Sequence, residues 1–186
     1  YGQAAANAFK TLMAEKVPDA EIVVEQYPAL GKIDAGATVQ AILSEEPDAI
    51  FSALFGGDLA KFVREGTDRG LLDGERAVLS LLTGEPEWLD ILRDEAPVGW
   101  IATGYPWYAI ETPEHGVFLD AYQAAYDDYP RLGSALGYSV MYVLKEVIEK
   151  AGGTDTEALI AATRGHETFT PMGPLTMRAL DHQATL

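Results

Sequence analysis

"PDAIFSALFGGDLAKF", residues 47–62, opens on a proline turn, runs through a nearly all-apolar segment, crosses two glycines and an acid, and enters a helical pattern. A short apolar run bounded by turn residues suits a strand buried on both faces, as in a parallel sheet. Leu59, Phe62 and Val63 then mark a helix that ends near Gly70. A strand feeding directly into a helix is half of a crossover unit, so the fold depends on whether the same order repeats on either side.

The order repeats. Upstream, Ala5, Ala8, Phe9 and Leu12 recur at helical spacing, and Pro18 ends that helix because the residue before proline avoids the α region. "EIVVEQY", residues 21–27, reads as a strand rich in β-branched residues, and Asp34 is placed to cap a helix carrying Val39, Ile42 and Leu43. Downstream, "AVLSLL" is a second buried strand, "EPEWLDILRD" a short helix opened by Pro86, and "VGWIATGY" a further strand. This alternation predicts an α/β fold with a doubly wound, right-handed parallel sheet. From Pro113 to Gly152 the strands stop and two longer helices follow. Phe118, Tyr122, Tyr126 and Tyr129 form a stripe on the first, and Leu136, Val140, Val143, Leu144 and Val147 form one on the second. A short helix over "DTEALIAAT" and two short strands around "PMGP" close the chain. "GYPWY", residues 104–108, is the expected first crossing between two lobes.

With 186 residues, 48% of them hydrophobic, the chain can bury a sizeable core as one large domain or two small lobes. A mean hydropathy of -0.01 and the lack of a long apolar run argue against membrane insertion. The net charge of -16, from 29 acids against 13 bases, disfavours nucleic acid, whose binding needs a basic face. Without cysteine there is no disulfide, thiolate metal site or cysteine nucleophile. The chain opens on "YGQAAANAFK", already helical in pattern and without an initiator methionine, so it is expected to be a processed or truncated piece.

The Gly56–Gly57–Asp58 loop lies where doubly wound sheets bind ligands, at the carboxyl end of a strand. It lacks the spacing of a dinucleotide fingerprint, and Lys61 stands one turn too late for a phosphate loop. The glycines either turn a strand into a helix or form a floor that a ligand approaches closely, with free helix N–H groups for an anion. Ser139 has Gly137 before it but Met141 after it and sits in a helical pattern, which excludes a nucleophile elbow. His115, His166 and His182 show no metal-ligand spacing and read as loop or surface histidines, while Asp127 and Asp128 match a solvated acidic surface. Neither a catalytic group nor a cofactor or metal site emerges.

"YGQAAANAFK", "DAIFSALFGGDLAKFVREGTDRGL" and "FTPMGPLTMRALDHQ" occur in this order across nearly the whole chain. Together they resemble the second half of the branched-chain amino-acid type of solute-binding protein, the receptors that feed ABC transporters. The resemblance implies a Venus-flytrap (type I periplasmic-binding-protein) fold of two α/β lobes holding a small ligand in the cleft between them. Residues 1–105 would form the C-terminal lobe, 106–165 a crossover with helices that pack on the N-terminal lobe, and 166–186 the return; the N-terminal lobe's strands would be missing. It further implies a non-enzymatic monomer, exported by a signal peptide to the periplasm or cell exterior, that delivers its ligand to a permease. The alternative is a sensory or regulatory ligand-binding domain of the same fold.

Matched to the family's motifs, Tyr1 would face the cleft, and Phe55 would supply an aromatic wall above Gly56, Gly57 and Asp58. Amino-acid-binding relatives place an acid after the next strand to pair with the ligand ammonium, a charge too costly to desolvate alone. Here "LSLLTGEPEW" puts Ser80, Leu82 and Thr83 in that neighbourhood, and Glu85 comes late. If no acid reaches the cleft, an aromatic or aliphatic carboxylate or an amide is favoured over an α-amino acid; Asp58 or Glu85 could still serve. Tyr105, Trp107 and Tyr108 either line the cleft or pack the hinge.

Overall fold

The computed structural model describes residues 1–185, and its internal contacts divide them into two units, Tyr1–Tyr105 and Pro106–Leu186.

The first unit is built on a parallel sheet of β1 (Ala49–Ser52), β2 (Ala77–Gly84) and β3 (Ile101–Gly104), in that order. Ala49 pairs with Ala77 and Ser52 with Ser80, while β2 and β3 keep register at Leu79–Ile101 and Ser80–Ala102 and then shift before Gly84–Gly104. Leu82 sits inside that irregularity with φ at +67°, a left-handed conformation costly for a side chain, and its N–H donates to Thr103 Oγ1 at 3.0 Å.

Helices cover both faces. Ile50 and Val78 pack with Val39 and Ile42 of α2 (Ala35–Ser44) and Phe62 of α3 (Gly56–Asp68) in the main core. Phe51, one residue along and so on the opposite face, stacks on Phe9 of α1 (Gly2–Lys16) at 4.2 Å between ring centres. Asp34 caps α2, accepting from the Ala37 N–H at 3.0 Å. A second cluster of Leu59, Val63 and Leu92 joins α3 to α4 (Pro86–Leu92).

One expected strand is not formed. Residues 21–27 take neither helix nor strand structure and make no backbone–backbone hydrogen bonds among the described residues, and all but Val24 are exposed. Their β-branched composition suits a strand, yet strand structure needs a paired edge, and none lies against them.

The second unit holds α5 (Pro113–Tyr126), α6 (Leu132–Ala151) and α7 (Thr156–Thr163), then an antiparallel sheet of β4 (Glu167–Thr170), β5 (Gly173–Met177) and β6 (Ala184–Thr185). The tail thus forms the expected strand pair around the "PMGP" turn, with a third short strand added. Phe118 packs on Tyr138 at 4.9 Å, and Ala135, Ser139 and Val147 are the buried residues of α6. The α6 stripe read from the sequence is largely exposed, with Leu136, Val140 and Leu144 at the surface. Tyr129 lies beyond the end of α5 and leaves that helix's aromatic stripe to stack on Trp107. His115 and His166 are buried rather than superficial. His115 starts α5 under the Thr112 cap, and burial holds its imidazole below the ordinary pKa, hence neutral. His166 Nε2 lies 3.0 Å from Glu146 Oε2.

Candidate ligand-binding site

The sequence points to the carboxyl ends of β1 and β2, and two groups of its candidate residues meet there. Phe55 is the N-cap of α3, with extended backbone and no side-chain cap bond. Its ring meets the exposed ring of Tyr1 edge-on at 6.1 Å. Gly56 has φ at +65°, and a Cβ there would lie 3.4 Å from the Trp88 ring, so glycine fits both the turn and the close approach of the indole. Gly57 is exposed and has open space where a side chain would stand. The first N–H groups of α3 have no intrahelical acceptor, and no side chain caps them, so this end offers donors and a positive dipole to an anion.

Asp58 is turned to a different task. The residue is 5% exposed, and its carboxylate accepts from the backbone N–H of Gly31 at 2.6 Å and of Ile33 at 3.4 Å. It ties the loop before α2 to the first turn of α3, with Lys61 Nζ at 3.9 Å from the carboxylate.

The second group follows β2. Ser80 and Thr83 are buried and hydrogen-bond each other through their hydroxyls. Glu85, the N-cap of α4, is 5% exposed, and its Oε2 has no hydrogen-bond partner. Burial first, then the nearby Glu87 carboxylate, pushes its pKa up to about 7, opposed by a bond from the Tyr105 backbone N–H. Glu85 therefore spends much of its time neutral near pH 7, a poor counter-charge for an ammonium group. Tyr105 is almost fully buried, and its phenol is pushed up to about 12 by that burial. Trp107 falls in the second unit, stacked on Tyr129 at 4.7 Å, with the Arg131 guanidinium 4.3 Å from the centre of the Tyr129 ring. Tyr108 meets Trp107 edge-on and is exposed.

Trp88 escapes the sequence reading, although its place in the first turn after Glu85 and Pro86 is the signal that sets it beside the glycine loop. Among the described residues, no group of three His, Cys, Asp or Glu side chains could hold a metal ion, and no helix is long and apolar enough to cross a membrane.

A family model described as periplasmic binding protein matches residues 1–186. The chain belongs to the periplasmic binding protein family. This is a family of solute-binding proteins rather than enzymes. No curated protein matches the chain. Among solved structures, it resembles an amino-acid ABC transporter substrate-binding protein from Pseudomonas fluorescens, with a TM-score of 0.84 at 21% identity, covering 98% of this chain and 48% of the other. A branched-chain amino-acid ABC transporter protein from Rhodopseudomonas palustris gives 0.78 at 24% identity, covering 98% and 49%. A solute-binding protein from R. palustris in complex with 4-hydroxybenzoate gives 0.79 at 24%, covering 98% and 50%. At these identities the likeness is one of fold: the type I periplasmic-binding-protein architecture with its parallel sheet. This periplasmic binding protein chain spans about half the length of the structures it matches.

Proposed function

We propose that this chain is the C-terminal, ligand-binding half of an extracytoplasmic solute-binding protein that closes on a small organic ligand and delivers it to an ABC-transporter permease. Residues 1–105 serve as the lobe that carries half of the site, and the helices of 106–165 pack on the other lobe. The observation that carries this reading is the uncapped start of α3, where exposed Gly57 lies beside the Tyr1–Phe55 aromatic pair. Free N–H groups next to aromatic edges suit a carboxylate attached to an apolar body. Asp58 is engaged by backbone N–H groups and Glu85 is largely neutral, so neither supplies a ready partner for an ammonium group. Among amino acids, amides and carboxylates, the ligand favoured is an aromatic or aliphatic carboxylate. The 4-hydroxybenzoate bound by one structural neighbour is a compatible example of that chemistry.

A thermal-shift screen of the full-length protein against amino acids, amides and aromatic acids tests this. Aromatic acids are expected to raise the melting temperature by a few degrees without being consumed, since a ligand that binds only the folded state stabilises it by mass action. A shift with branched-chain amino acids alone would overturn the carboxylate preference, and turnover of any ligand would overturn the binding-protein reading.

A further inference from the structure

We propose that the bulge at Leu82 is a positioning device of the ligand site: it folds two extra residues out of β2 and so withdraws Glu85, the first acid after the strand, from the place an anionic ligand approaches. The inference rests on the carboxylate reading above, and its test separates the two.

The register gives the size of the bulge. Between the pairs Ser80–Ala102 and Gly84–Gly104, three residues of β2, Leu81, Leu82 and Thr83, stand against Thr103 alone on β3. A strand advances about 3.3 Å per residue, so absorbing two residues shortens the reach of β2 by roughly 6–7 Å. Leu82 makes the fold-back with its left-handed backbone, and two hydrogen bonds hold it there. Its N–H donates to Thr103 Oγ1 at 3.0 Å, and its carbonyl accepts from the Glu85 N–H at 3.3 Å.

The side chains follow the backbone. In an unbroken strand Ser80 and Thr83, three residues apart, face opposite sides. Here both are buried and their hydroxyls bond each other. Past the bulge the backbones of β2 and β3 close up at Gly84 and Gly104, leaving no room for a side chain on Gly104. That approach sets the residue after Gly84 beside the residue after Gly104, and the Tyr105 backbone N–H bonds the Glu85 carboxylate. Glu85 is thereby buried, with Oε2 unpartnered and the Glu87 carboxylate as its charged neighbour. Trp88, three residues on, lies against Gly56, so this end of β2 borders the start of α3, where the ligand carboxylate is placed. An acid standing two residues further out would meet that anion with like charge; a withdrawn one does not.

Two substitutions at Leu82 separate backbone from packing. Asn accepts the left-handed conformation but loses the apolar side chain, whereas Val stays apolar but is strained at positive φ. In the full-length protein the Glu85 carboxyl is titrated by carbon NMR, and binding of benzoate and of its cationic counterpart benzylamine is measured. Leu82→Asn is expected to leave the Glu85 midpoint at about 7 and Leu82→Val to bring it down towards 4.5. Leu82→Val is also expected to weaken benzoate binding by ~10-fold or more, and addition of Glu85→Gln to restore it. Should Leu82→Val not fold, Thr103→Val removes the acceptor of the Leu82 N–H with little change of shape, and the same two shifts are expected. A Glu85 midpoint unchanged by the Val substitution, one moved more by Asn than by Val, or no recovery with Glu85→Gln overturns the proposal. Tighter binding of benzylamine than of benzoate by the wild type overturns the carboxylate reading instead, and the Glu85 midpoints still decide the bulge.

Discussion

Glu85 shows how burial sets what a side chain can do at the end of β2. Its pKa rises from 4.5 in an unstructured chain to about 7 in the fold. Between those values the folded state holds a proton that the unfolded state has lost, so this group's contribution to stability is undiminished below about pH 4.5 and falls as the pH rises to about 7. Replacing it by Gln keeps an acceptor for the Tyr105 N–H and removes the charge. Glu85→Gln is expected to match the wild type in stability at pH 4 and to exceed it at pH 8 by on the order of 2–3 kcal/mol. Urea denaturation at the two pH values measures this; equal gains at both would mean that packing, not ionisation, controls the residue. The sequence reading puts Glu85 and Asp58 where a strand gives way to a helix, and they stand at the N-cap of α4 and in the first turn of α3, because strand–turn–helix order is local. It does not reveal that Asp58 faces the Gly31–Ile33 backbone, since that contact spans 27 residues and depends on how the loop before α2 folds back.

The elements follow the same division between local and distant causes. β1, β2 and β3 and the helix caps are legible because apolar runs, Asp34 and Pro86 act within a few residues of themselves. Residues 21–27 have strand composition but not a strand's hydrogen bonds, because a ladder requires a neighbour that composition does not supply. The shift between β2 and β3 is equally invisible in the sequence, yet two glycines record it. A Cβ on Gly104 would lie 2.2 Å from the Gly84 backbone carbonyl, and one on Gly84 would lie 2.9 Å from the Thr103 oxygen. Neither backbone yields as a flexible side chain would. Gly104→Ala is therefore expected to cost more than about 3 kcal/mol or to prevent folding, whereas Gly57→Ala, with open space around it, should stay within about 1 kcal/mol of wild type. Thermal melts of the two variants side by side check the contrast, and similar losses in both would refute the proposed clash.

Over the whole molecule the dominant force beyond packing is its own charge. The surplus of acids makes the folded state repel itself, and several of its cations sit in exposed pairs such as Arg64–Glu95 at 2.6 Å and Lys145–Glu149 at 2.9 Å. Exposed pairs contribute little individually, so salt should act mainly by screening repulsion. Raising NaCl from about 0.01 to 0.15 M shortens the screening length from ~30 to ~8 Å and is expected to raise the melting temperature by a few degrees. A fall in melting temperature would show that the ion pairs outweigh the self-repulsion. Fold and family are legible at this scale because three short signatures lie in order along the chain, while the ligand is not, because the roles of Asp58 and Glu85 are set by distant backbone contacts and burial that the local sequence does not carry. The indole of Trp88, set against Gly56 at the mouth of α3, gives the molecule a built-in optical probe. With Trp100 and Trp107 changed to phenylalanine, its emission colour alone would register water leaving that corner, and no dye would need to be attached.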